Sequence, residues 1–598
     1  MEVKLTEHNL KNSGGPNFTA RSPISTTICA LAIFVFVFLA WLQAGKPLQL
    51  DNMDFPAVAA ATADSGLPVY YRGEENPQAV GLYHPPLYIY SLAGWFKLFG
   101  DGPISARMFD VLCAIVAGSL ALQIVRDVFG AEAARKIAPA FFIVYLLNQF
   151  ALQAFAIADI DTSIYVPLIL LAIWAPLRVV FAKAELRATP IGWRDYAVIV
   201  LMFLLCFWAK LTTTLSLPLV ILPILSIRLG LWRAIAATLG VTIASATMFI
   251  FTYWIYGVVT SLDVVYTWDF LIQSLASKSG AGGPAASTFA TLEAHLLDNV
   301  VSFLRWGLGL AAACAVAAEI ELLFNVANTG GVERARWIAA LTILTYAIFV
   351  VGAYSLIALP FGGAPFKYIA PVWPLIALGG AWILSQLSSS AVREDRALAP
   401  IGVLLGVVGF LMGLFYLRDA ALLGKGNLLL RGVAILLAAA FGAALWATLR
   451  SPRRSAFLGL RNLALAAAVA AAAQGFGAAV YQARADYATQ YDYGQIGFAQ
   501  ARDWLREHTA PDEVIMSMKD LGFAAGRRYL ENYFYIYATP AELEPLGETV
   551  ENLGIHVFVF TEQRGQDQLL LNRGLAEWIA RNTKKTAQFG NYVIYTRY

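Results

Sequence analysis

The stretch that decides the fold reads Asp51-Asn52-Met53-Asp54-Phe55, then Tyr83-His84-Pro85-Pro86-Leu87-Tyr88, Phe99-Gly100 and Ala106-Arg107. It is polar and turn-rich, and it follows an apolar run at about 26–45 in a chain that is otherwise almost all apolar. Its carboxylates therefore stand where a bilayer ends, and that is where chemistry would be done.

Working outward, 59% of the 598 residues are hydrophobic and only 14% are charged, with a mean hydropathy of +0.61. That balance excludes an ordinary soluble enzyme. Runs long enough to cross hydrocarbon, each of roughly 20 residues, recur at about 26–45, 104–125, 137–157, 163–182, 195–209, 212–228, 233–257, 301–323, 338–358, 369–387, 400–417, 427–449 and 462–482. The expectation is a polytopic α-helical membrane protein with about thirteen spans.

Lys and Arg near the span ends set the orientation, because short cytoplasmic loops hold an excess of both. The tail with Lys4, Lys11 and Arg21 and the segments with Arg126/Arg135/Lys136, Arg178/Lys183/Arg187/Arg194, Arg228/Arg233, Arg334/Arg336, Arg393/Arg396 and Arg450/Arg453/Arg454/Arg461 alternate as cytoplasmic. An odd number of spans then puts the C-terminus outside an inner (plasma) membrane. The first run lacks a small-residue cleavage site before Asp51 and reads as an uncleaved signal anchor. A net charge of +3, with the basic residues largely in those loops, argues against a nucleic-acid partner. Cys29, Cys113, Cys206 and Cys314 all fall inside apolar runs, so neither a disulfide framework nor a Cys-based metal site is supported.

From about residue 484 to Tyr598 the long apolar runs stop and the pattern becomes that of a small extracytoplasmic α/β domain. Gly494–Glu507 reads as an amphipathic helix, Glu513–Met518 and His556–Thr561 as strands, and Gln566–Asn582 as a helix. Gln588–Thr596 reads as a hairpin turning at Gly590-Asn591. No nucleophile–base pairing or metal spacing marks this part, which leaves capping or acceptor docking as its role.

In the membrane region the unusual features gather on the outer side. They are the loop at about 46–103, Asp159-Ile160-Asp161, Trp208-Ala209-Lys210-Leu211-Thr212, the Gly-rich link at 279–287 and Pro360–Tyr368. His84-Pro85-Pro86 reads as the start of a short interfacial helix over about 86–98, with Trp95 and Lys97 at the headgroup level. Gly280, Gly282, Gly283 and Pro284 interrupt any helix and read either as a lid or as a plain connection.

Taken in order along one topology, these residues resemble the membrane glycosyltransferases of the GT-C fold. The likeness is to the branch holding lipid A aminoarabinose transferase and the protein O-mannosyltransferases. Asp51, Phe55, His84–Tyr88, Phe99-Gly100 and Arg107 carry the likeness in the first outer loop. Asp159-Ile160-Asp161, Lys210 and Lys367-Tyr368-Ile369-Ala370-Pro371 look like its later landmarks. The family often has Asp-Glu where this chain has Asp51-Asn52, and Lys-Pro-Pro where it has His84-Pro85-Pro86. The first departure makes Asp54 a competitor of Asp51.

The resemblance implies transfer of a sugar from a polyprenyl-phosphate donor to a hydroxyl of a cell-envelope glycolipid, glycan or protein, with inversion. A carboxylate at the mouth of the membrane can act as the base, which makes Asp51 the first candidate and a helix cap its plain alternative. Fixed cations in a poorly hydrated place stabilise a departing phosphate. Lys210 and Arg107 are the candidates, with Lys367 and Tyr368 added by the resemblance, and snorkelling is the plain alternative for Lys210. His84, Asp159 and Asp161 would orient donor or acceptor. The two aspartates could equally bind a divalent ion or cap a helix. A transporter or lipid flippase is the reading from another class, but no paired internal repeat supports it.

Overall fold

The computed structural model describes residues 23–44, 51–68, 75, 81–155, 157–181, 191–278, 308–357, 366–388, 476–477, 479–480, 483, 496–563 and 566–598. The expected spans at 400–417, 427–449 and 462–482 fall almost wholly outside these residues, and so does the Gly-rich link. Six helices among the described residues are long and apolar enough to cross a membrane: Ile24–Gln43, Pro103–Phe129, Leu211–Leu229, Leu231–Thr260, Gly331–Tyr354 and Lys367–Gln386.

Breaks in the apolar sequence decide how the chain folds back on itself. Helix α1 (Pro23–Gln43) leads to α2 (Asp51–Ser65) and α3 (Leu87–Phe99), and α4 (Pro103–Phe129) follows. A single residue, Gly130, then separates α4 from α5 (Ala131–Leu146). Its backbone, at φ 95° and ψ 166°, lies in a region open only to glycine. Gly230 does the same at φ 75° between α10 (Pro218–Leu229) and α11 (Leu231–Thr260). These one-residue links make both helix pairs antiparallel hairpins, and each lies close to basic residues, Arg126 and Arg228 among them.

The span expected at 137–157 is corrected to α5 followed by a short helix, α6 (Gln149–Ala154). Asn148 causes the break: its Oδ1 accepts from the Ala151 N–H at 2.8 Å, starting a new helix, while its Nδ2 donates to the Val144 carbonyl. Trp373 Nε1 donates to the Tyr145 carbonyl at 3.0 Å and satisfies it inside the protein. After a non-helical turn at 157–164 come α7 (Tyr165–Phe181), α8 (Trp193–Ala209) and α9 (Leu211–Thr214). Helix α8 ends at Lys210, which is extended (φ −159°, ψ 137°), as the sequence break between the fifth and sixth runs led one to expect.

Helix α7 packs on α4, α8 and α10; α5 packs on α1, α4 and the helix Trp373–Ser388, which also meets Leu308–Asn328. Close approach uses small residues. A Cβ on Gly118 would come within 3.0–3.1 Å of Tyr145 and Phe142. The helix expected over about 86–98 is present as α3. Helix α2 was not foreseen, nor was α12 (Val265–Lys278).

Residues 496–598 form a six-stranded sheet. Its strands are β1 (Val514–Ser517), β2 (Arg528–Glu531), β3 (Val557–Gln563), β4 (Gln566–Asp567), β5 (Thr583–Phe589) and β6 (Tyr592–Arg597). The order is β2-β1-β3-β6-β5, with β4 on β3. Strands β2, β1 and β3 run parallel and the β3–β6–β5 pairs antiparallel. The hairpin turning at Gly590-Asn591 forms as expected. The expected helix over Gln566–Asn582 is corrected: it keeps only Arg573–Asn582, because Asn572 accepts from the N–H groups of Gly574 and Leu575 and so fixes a late start. The first helix begins at Phe498, after Gly497 at φ 92°.

This sheet is tied to the segment between α1 and α4. Arg528 reaches both oxygens of Glu75 at 2.5 and 2.6 Å, the Glu75 N–H donates to the Tyr529 carbonyl, and helix Lys519–Ala525 packs on α2. Phe523 of that helix meets Phe96 of α3 with ring centroids 6.4 Å apart.

Candidate active site

The site is built on the two places where the helices stop. The turn at 157–164 brings Asp159 and Asp161 to the broken end of α8 and to the short helix Phe366–Ile369. There Lys210 Nζ donates to Asp161 Oδ2, and Lys367 Nζ donates to Asp159 Oδ2 at 3.2 Å. Both carboxylates are 1% exposed, and the Lys210 and Lys367 side chains are 6% and 14% exposed. Lys210 therefore does not snorkel; it meets a carboxylate inside the protein, which makes burying the charge tolerable. Asp159 and Asp161 do not cap α7, whose first residue is Tyr165; they face ammonium groups instead.

One ring joins the two cations. Lys210 Nζ lies 4.9 Å and Lys367 Nζ 5.4 Å from the centroid of Tyr368, within reach of cation–π attraction. Tyr354 stacks on Tyr368 at 5.2 Å and 11°, and its hydroxyl is 2.6 Å from Thr213 Oγ1 on α9. Thr214 Oγ1 in turn donates to the Lys210 carbonyl and is 2.8 Å from the Tyr165 hydroxyl. Five residues expected from the sequence, Asp159, Asp161, Lys210, Lys367 and Tyr368, thus come together from segments far apart in the chain.

The turn that carries the carboxylates is pinned by a residue the sequence reading missed. Asp110 of α4 is fully buried, and its Oδ2 accepts from the Ala158 N–H (3.0 Å), the Asp159 N–H (3.3 Å) and Thr162 Oγ1 (3.1 Å). Asp159 Oδ1 accepts from the Asp161 N–H at 2.9 Å. Asp161 Oδ1 is buried with no hydrogen-bond partner among the described residues. The signal for Asp110 was a carboxylate inside a long apolar helix, which calls for a named partner.

The other expected residues stand around this cluster. Arg107 is buried, and its Nη1 donates to the Ala44 carbonyl at 2.6 Å, fastening the end of α1 to α4. His84 lies among aromatic rings, 6.0 Å from Phe55 and 5.6 Å from Phe270. Asp51 and Asp54 are in the first turn of α2, with their side chains outside the described residues. Phe55, the next residue of α2, touches Tyr88 at 5.4 Å, and the Tyr88 hydroxyl is 3.5 Å from Asp110 Oδ1. The helix carrying Asp51 and Asp54 is therefore two side chains away from the turn that holds Asp159 and Asp161.

One oxygen of each of those two carboxylates is taken by an ammonium. Among the described residues no group of three or more His, Cys, Asp or Glu side chains could hold a metal ion.

No family model matches the sequence, and no curated protein matches it. Solved structures do match. ArnT from Cupriavidus metallidurans bound to undecaprenyl phosphate superposes with a TM-score of 0.56 at 14% identity, over 96% of this chain and 97% of that one. Its apo state gives 0.54 at 15% identity, over 96% and 98%. Over nearly its whole length the chain thus shares the GT-C fold of ArnT.

Proposed function

We propose that the protein is a membrane glycosyltransferase that moves a sugar from a polyprenyl-phosphate donor to a hydroxyl of a cell-envelope acceptor at the outer face of the bilayer. The observation that carries the reading is the pair of ammonium groups, buried Lys210 and half-buried Lys367, gathered on the Tyr368 ring where the helices break. The fold adds support, since an ArnT structure of this fold holds undecaprenyl phosphate.

Lys367 is the more open cation and its pair with Asp159 the looser, so a donor phosphate engages Lys367 first while Asp161 keeps Lys210 in place. Asp51 takes the proton of the acceptor hydroxyl, with Asp54 as its competitor for the role. The acceptor oxygen bonds to the anomeric carbon, and the bond from that carbon to the phosphate oxygen breaks. The electron pair leaves on the phosphate, next to fixed cations in a place where water screens them little, and the anomeric configuration inverts. Asp161 Oδ1, which has no hydrogen-bond partner among the described residues, is an acceptor for a donor-sugar hydroxyl. The C-terminal sheet stands on the extracytoplasmic side beside α2.

Mass spectrometry of envelope glycolipids and glycoproteins from cells with and without the protein tests this reading. A single sugar missing from one acceptor class supports it; identical envelopes under conditions of expression oppose it.

A further inference from the structure

We propose that Asp110 is a positioning residue of this site: its carboxylate holds the turn at 157–164 in the one shape that presents Asp159 and Asp161 to Lys367 and Lys210. The name of the site rests on the function proposed above, but the positioning itself rests on geometry alone.

Three observations carry it. First, Asp110 Oδ2 alone binds both sides of the turn, through the Ala158 and Asp159 N–H groups and the Thr162 hydroxyl. Second, Ala158 adopts φ 62°, one of only two non-glycine residues with positive φ among the described residues. An alanine is strained there and keeps the shape only where its surroundings impose it, and the bond from its N–H to Asp110 is such an imposition. Third, the next residue is Asp159, whose Oδ2 meets Lys367 and whose Oδ1 holds the Asp161 N–H. Releasing Ala158 would therefore move both carboxylates. The Tyr88 hydroxyl at 3.5 Å links Asp110 to the aromatic wall of α2 and α3 as well.

The test uses the full-length protein in lipid nanodiscs, with Asp110→Leu, Asp110→Asn, Ala158→Gly and the double variant Asp110→Leu/Ala158→Gly. The first readout is chemical acylation of the Lys210 and Lys367 amines, measured by mass spectrometry with no ligand present. Both lysines should be protected in the wild type and in Ala158→Gly, and should become labelled in Asp110→Leu. Protection should return in part in the double variant, because glycine adopts the turn unaided. Asp110→Asn keeps an acceptor at the Oδ2 position and should label little. A role in packing alone would give no recovery from Ala158→Gly.

The second readout is binding of undecaprenyl phosphate. Asp110→Leu should weaken it about tenfold, the size of coupling expected within one hydrogen-bonded network. Unchanged labelling in Asp110→Leu overturns the positioning role, and so does equal labelling of Asp110→Leu with and without glycine at 158. Should Asp110→Leu fail to fold, Asp110→Ala, which also removes the acceptor, compared with and without Ala158→Gly decides the same question. If Lys210→Met and Lys367→Met bind undecaprenyl phosphate as the wild type does, the phosphate reading fails, while the labelling result still decides the role of Asp110.

Discussion

Lys367 Nζ lies 3.2 Å from Asp159 Oδ2, although 208 residues separate the two in sequence. The Lys367 side chain is more than twice as exposed as that of Lys210, at 14% against 6%. Lys367→Met should therefore weaken undecaprenyl phosphate binding more than Lys210→Met does, with modest effects on folding. Equal binding by the two variants would remove the distinction drawn between the two cations.

Lys210 and Asp161 form the tighter, drier pair. Removing one member leaves a buried charge alone, so Lys210→Met should cost about 3–5 kcal/mol of stability. Lys210→Met/Asp161→Leu should recover most of that loss, since an apolar pair of similar volume replaces the ions, yet transfer should stay impaired. Thermal unfolding and transfer assays on the same samples separate the two effects. Full recovery of both would make the pair structural only.

Much of this was legible in the sequence, and what was missed has definite causes. Lys210 announced itself as an ammonium placed directly after an apolar run, and the chain breaks there as that reading required. Asp110 was equally conspicuous in composition, but its partners, Ala158 and Thr162, are 48 and 52 residues away, and no local pattern links them. Helix α2 was hidden by the polar start at Asp51 and by Pro56, although the run Ala57–Ala63 is rich in alanine and favours helix. Strand β2 has only four residues, opens on Arg528 and ends on Glu531, so no alternation of apolar and polar residues marks it.

Asp520, in helix Lys519–Ala525 of the C-terminal part, gives a prediction about pH. Burial pushes its carboxyl up to about 7 from 3.8, against the opposing bond from the Leu521 N–H. Between about pH 4 and 7 the folded state keeps a proton that the unfolded state releases. Stability therefore falls as pH rises through that window, by up to about 4 kcal/mol. Hydrogen exchange of β1 and β3 in the full-length protein, corrected for intrinsic rates, should show more protection at pH 5 than at pH 8. Asp520→Asn should remove the difference; a difference that survives it would assign the effect to another group.

Topology is tested by reporters. One fused after Tyr598 should read out outside the cytoplasm and one inserted at Asp395 inside it. Both on the same side would contradict thirteen crossings and the outer placement of the sheet.

The central claim is that a carboxylate at the start of α2 activates the acceptor while the lysine cluster holds the donor phosphate. The most direct measurement is transfer by purified Asp51→Asn protein, made alongside undecaprenyl phosphate binding on the same sample. Asparagine conserves volume but cannot take the proton. Turnover should fall by roughly 10²–10⁴ while binding stays close to that of the wild type. Turnover at the wild-type level would contradict the assignment and pass the role to Asp54.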